Sequence, residues 1–146
     1  MPCAVHGSRS DVEKLRKIKF VDNEPMSLDV FSPTIQLDLN ATLANLNGDA
    51  ELLQAIAQIF AEDVPSIIQA LKHASATGDG VGSVLHAHTI KGMALNFRAE
   101  PLTTLSRRLE VDYAKLSNCE REVLVLQIES ACNETITELK REIGLN

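Results

Sequence analysis

Residues 50–71 read AELLQAIAQIFAEDVPSIIQAL. Leu52, Leu53, Ile56, Ile59 and Phe60 recur at the three- and four-residue spacing of one helical face, and Val64, Ile67, Ile68 and Leu71 carry the stripe past Pro65. A strand would alternate instead. Pro65 lacks an N–H and crowds the preceding turn, so a kink or interruption is expected there. Upstream, Leu39, Leu43 and Leu46 mark a shorter helix that Asn47-Gly48 ends, a pair suited to a left-handed exit, and Asp49 can cap the helix that follows.

Downstream, Gly78-Asp79-Gly80 breaks the chain and a third helical segment runs from about Val81 to Phe97. A fourth begins at Pro101, a residue suited to a first helical turn, with Leu102, Leu105 and Leu109 at core spacing and Tyr113 and Leu116 behind them. Ser117-Asn118 closes it. The fifth, roughly Cys119 to Ile143, sets Leu124, Ile128, Ala131, Ile136, Leu139 and Ile143 on one side. Four long amphipathic helices with short connections predict an all-α fold, an antiparallel four-helix bundle with a short additional N-terminal helix.

The 146 residues suffice for one domain. We divide them into an N-terminal extension, 1–33, and a bundle domain, 34–146. Pro2, Pro25 and Pro33 punctuate the extension, where Asp11 to Phe20 has helical potential and Lys14, Arg16, Lys17 and Lys19 form a basic cluster, read as a solvated, partly ordered tail. The net charge of −6 disfavours nucleic acid, and 3% aromatics with no Trp supplies no stacking platform. No apolar run approaches the roughly 20 residues of a membrane span. The first residues lack the basic start and apolar centre of a secretory signal, so a cytoplasmic location is expected. Cys3, Cys119 and Cys132 are odd in number and far apart, which argues against a disulfide framework or zinc site and predicts free thiols.

The chemistry concentrates in the third segment. At about 100° per residue, Ala87, Ile90, Ala94 and Phe97 share one arc, the core stripe, and His88 falls opposite. Around His88 lie Val81, Val84, Leu85, Lys91, Gly92 and Leu95, an apolar company for an outward face. Two readings are open: a protein-docking face around a reactive centre, or a helix covered on both sides. Gly92 favours the first, because glycine inside a helix costs about 1 kcal/mol relative to alanine and needs a reason. Helical side chains lean toward the N-terminus, so a larger residue four positions after His88 would cover the imidazole, whereas the same lean brings the Lys91 ammonium toward it. A nucleophilic nitrogen, an open approach and a cation able to pair with phosphate oxygens are thus placed together.

His88-Thr89-Ile90-Lys91-Gly92 resembles the H-x-[apolar]-K-G signature of histidine-containing phosphotransfer (HPt) domains, and Ala87 before it with Asn96-Phe97-x-Ala99-x-x-Leu102 after it continues the pattern. Leu39 to Leu53 resembles the family's opening helix and turn, and Leu105 through Glu110 the helix after the site. The resemblance covers roughly residues 34–143. Two positions depart from it: Arg98, where many members have glycine, and Met93, bulkier than the small residue common there. The resemblance implies a phosphoryl carrier without autokinase activity. His88 would be phosphorylated with Lys91 and Gly92 beside it, and Val84, Leu85 and Leu95 would help form the docking patch. The implied partners are response-regulator receiver domains and a hybrid sensor kinase. The receiver would supply the magnesium ion and the catalysis, so no cofactor or metal is expected on this chain, which is read as a monomer with no nucleic-acid or membrane partner.

Other readings fare worse. His86-Ala87-His88 invites a metal, but residues two apart on a helix diverge by about 200°; no Glu-x-x-His pair occurs, and His86 is read as a core-edge residue hydrogen-bonded within the bundle. A sensor-kinase dimerisation domain usually follows its histidine with an acidic residue where Thr89 stands, and 146 residues hold no ATP-binding domain beside the bundle. An inert adaptor would have no reason to keep His88, Lys91 and Gly92 on one apolar face.

Overall fold

Among the described residues each helix start has a local cause, and in four cases it is a short polar side chain that accepts an otherwise unpaired backbone N–H. In the computed structural model, which describes residues 35–145, Asp38 accepts from Ala41 at 3.0 Å and starts α1, Leu39–Asn45. Asp49 accepts from Leu52 at 3.0 Å and starts α2, Ala50–Ala76. Asp79 accepts from Gly82 at 2.9 Å and starts α3, Gly80–Leu95. Ser117 accepts from Glu120, whose carboxylate accepts from the Ser117 N–H at 2.8 Å, a reciprocal cap on α5, Asn118–Ile143. Between them α4, Leu102–Asp112, follows Pro101 and runs into a 3₁₀ turn, Tyr113–Lys115.

The expected all-α bundle is what forms: α2, α3, α4 and α5 pack each on the next, and α5 closes back on α2. Connections of a few residues between packed neighbours make them antiparallel. Most residues predicted to face inward do so, with Ala87, Ile90, Ala94 and Phe97 of the third segment fully buried beside Phe60, Leu71, Leu109, Ile128 and Leu139, but Leu52 and Ile59, expected on the core stripe of α2, lie at its edges and are 44% and 51% exposed. Phe60 and Phe97 meet edge to face with centroids 5.6 Å apart. Asn47 (φ 59°) and Gly48 (φ 78°) make the left-handed exit expected of Asn-Gly. The segment around α1 is tied to the end of α3: Gln36 and Glu100 exchange backbone hydrogen bonds of 2.8 and 3.0 Å, and the buried Thr42 hydroxyl donates to the Asn96 carbonyl at 2.7 Å.

Two expectations change. Pro65 does not interrupt α2, which runs through it for 27 residues; Pro65 lies on the exposed side while Val64 and Ile68 are buried on either side of it, so tertiary packing outweighs the missing backbone bond. Cys119 is disulfide-bonded, contrary to the expectation of three free thiols, because separation along a chain sets no lower limit on distance in the fold. Cys132 is a free, buried thiol, pushed up to about 12 by desolvation and by Glu129. Cys3, His6 and the basic cluster Lys14 to Lys19 lie outside the described residues, as does the boundary placed after residue 33.

Candidate functional site

The site is built on the middle of α3, so its precision begins with how that helix starts. A Cβ on Gly82 would lie 2.3 Å from the Asp79 carboxylate as it is placed here, so a larger residue would oblige that side chain to shift. Ser83 is buried and donates to the Asp79 carbonyl at 2.8 Å, tightening the same turn. Two turns later, with Ala87 and Ile90 sealed in the core, His88 points outward with 60% of its side chain exposed.

His88 is not alone there. Its Nδ1 lies 2.6 Å from Oε2 of Glu110 on α4, and the other oxygen of that carboxylate, Oε1, lies 2.7 Å from the Lys91 ammonium. One carboxylate therefore spans the histidine and the lysine one turn apart. An ionised carboxylate can only accept, so the imidazole proton sits on Nδ1 and the lone pair on Nε2, the ring nitrogen not engaged by Glu110. The Lys91 ammonium beside Glu110 holds its carboxyl below its ordinary value; burial pushes the other way, and His88 adds to the lowering.

The other residues singled out from the sequence fall as follows. Lys91 is near His88 as expected, but mostly covered and held by Glu110. Gly92 is exposed, and a Cβ there would meet nothing within 4 Å, so no close helix packing demands the glycine. Leu85 and Leu95 are exposed by more than half, and Val81 more so, while Val84 is half-buried. His86 is half-buried at the core edge, and its ring makes no hydrogen bond among the described residues, unlike the bonded role expected for it. Among the described residues no group of three or more His, Cys, Asp and Glu could hold a metal ion, and no helix is long and apolar enough to cross a membrane.

One residue of this site has no role in the sequence reading. Glu110 stands between the core positions Leu109 and Tyr113, but its meeting with His88 depends on how α4 is rotated against α3. Val111, the next residue of α4, is 65% exposed. Its signal was available: it falls off the stripe of Leu102, Leu105 and Leu109, and is an apolar residue with no core position to fill.

No curated protein matches the sequence significantly. The crystal structure of the HPT domain from the Hpt sensor hybrid histidine kinase of Shewanella superposes with a TM-score of 0.63 at 14% identity, over 74% of this chain and 93% of that one, a likeness of fold. The Hpt domain family model matches residues 55–142, a span that takes in His88, Lys91, Gly92 and Glu110 and most of the chain. This protein therefore belongs to the Hpt domain family, the phosphoryl carriers of phosphorelays.

Proposed function

We propose that this chain accepts a phosphoryl group on Nε2 of His88 and passes it to or from the aspartate of response-regulator receiver domains, one of them within a hybrid sensor kinase. One observation carries the reading: Glu110 Oε2 at 2.6 Å from Nδ1 of an exposed histidine, which leaves Nε2 with its lone pair outside that contact. That is the state a nucleophilic imidazole needs. Gly92 leaves the approach open, and Lys91 is near enough to exchange part of its pairing with Glu110 for phosphoryl oxygens. Val84, Leu85 and Leu95, joined by Val81 on the same helix, supply apolar surface for a receiver. The acidic pocket and its magnesium belong to the receiver, so this chain acts as a carrier and not as a kinase. The location proposed for it is cytoplasmic, its working form a monomer of residues 34–146 with the extension 1–33 appended.

The test is incubation with a receiver domain already phosphorylated on aspartate, followed by detection of acid-labile, base-stable phosphate on this chain. Label should appear on the parent and on folded His86→Ala and be absent from His88→Gln. Label surviving in His88→Gln and lost in His86→Ala would overturn the assignment.

A further inference from the structure

The contact between His88 and Glu110 bears on what happens after the phosphoryl group has arrived. When the Nε2 lone pair attacks the phosphorus of an aspartyl phosphate, an N–P bond forms and a P–O bond breaks, its electron pair leaving with the aspartate carboxylate. No proton moves in that step. The ring already carries hydrogen on Nδ1, so it becomes a phosphorylated imidazolium. If the Nδ1 proton were then lost to water, onward transfer would have to expel an imidazolate anion, a poor leaving group. With the proton kept, the N–P electron pair returns to Nε2 and a neutral imidazole departs.

We propose that Glu110 is a positioning residue that keeps the proton on His88 Nδ1 while Nε2 carries the phosphoryl group, so that the carrier stays poised for transfer; this rests on the reading of His88 as the carrier. The Oε2 atom at 2.6 Å is placed for a charge-assisted bond to the cationic ring. Lys91 at 2.7 Å from Oε1 keeps the carboxylate ionised and so able to hold that cation. Lys91 from α3 and Glu110 from α4 are the charged groups in ion-pair contact at the site; α2 and the Tyr113–Lys115 turn, also packed on α3, bring none among the described residues. A neutral amide in place of the carboxylate would accept the same hydrogen bond without offsetting the ring charge, which makes Glu110→Gln the discriminating change.

The experiment loads the parent and Glu110→Gln with phosphoramidate, follows phosphohistidine decay against pH by phosphorus NMR, and records the ¹⁵N shift of His88 Nδ1. Phosphorylated parent should keep a protonated Nδ1 at about pH 8, above the ordinary histidine value of about 6.5. At that pH the phosphohistidine of Glu110→Gln should live roughly tenfold longer, its decay slowing at lower pH than the parent's. An unprotonated Nδ1 in the phosphorylated parent overturns the proposal even if the variant does not fold, and so do coincident pH profiles. Failure of phosphoramidate to load His88 also overturns it, because a free Nε2 lone pair is its premise. Because phosphoramidate needs no receiver, a parent that loads from it with a protonated Nδ1 but never takes phosphate from a phosphorylated receiver defeats the carrier reading while upholding the proton assignment.

Discussion

At the scale of single residues, Gly92 and Arg98 show opposite relations between side chain and backbone. Gly92 has ordinary helical geometry and open space where a Cβ would go, so its absence of a side chain answers no packing demand. Gly92→Ala should be neutral or stabilise by up to about 1 kcal/mol in thermal denaturation. Gly92→Gln should be at least as stable as the parent yet strongly impaired in taking phosphate from a phosphorylated receiver, because its side chain leans back over His88. A folded, fully active Gly92→Gln would show that the open approach is unnecessary. Arg98 has the reverse problem. It sits at φ 52° in the exit of α3, where its N–H reaches the Leu95 carbonyl and the Ala99 N–H reaches that of Ala94, each at 3.1 Å. A left-handed conformation costs a non-glycine residue about 1–2 kcal/mol, which accounts for the glycine common here in the family that the sequence resembles. Arg98→Gly should therefore raise the melting temperature, the gain being trimmed by the greater freedom of glycine in the unfolded chain. A clear fall would mean that the arginine side chain makes a contact worth more than the backbone relief.

At the scale of the helix, α3 is apolar on both sides for two different reasons. Its inner stripe is sealed in the bundle, whereas Val81, Leu85 and Leu95 face out. Exposure of 52% at Leu95 predicts that Leu95→Glu changes the melting temperature little. Under the proposed function the same variant should slow transfer from a phosphorylated receiver, since it puts a charge into the apolar surface beside His88. A large loss of stability would place Leu95 in the core, and an unchanged transfer rate would remove it from the docking surface. The start of α3 was legible from Asp79 and the glycines around it. The continuity of α2 through Pro65 was not, because a local rule for proline cannot weigh the burial of Val64 and Ile68 against one missing hydrogen bond.

At the scale of the whole molecule, the α3–α4 contact couples stability to pH through Glu110. Its carboxyl is held below the ordinary value of 4.5, Lys91 being the largest cause. A carboxylate lowered on folding contributes stability that is present above its unfolded value and is lost as pH falls through the folded one. The melting temperature of the parent should thus exceed that of Glu110→Gln at neutral pH, and the gap should close as pH drops below 4.5. A gap that does not vary with pH would mean that shape and not charge matters there. Glu134 works in the opposite sense: desolvation raises its carboxyl, so it is relieved by acid in both proteins and drops out of the difference. The periodicity of the chain by itself determined the helices, most of their inward stripes and the placing of His88, Lys91 and Gly92 on one face, since spacings of three and four residues within a single helix dictate which side chains are neighbours. Only the tertiary structure decided that Glu110, 22 residues beyond His88, would bridge it to Lys91 and that Thr42 would reach the Asn96 carbonyl. Those meetings are set by the rotation and depth at which one helix packs on another, quantities that depend on the whole core at once and leave no periodic mark on any one segment.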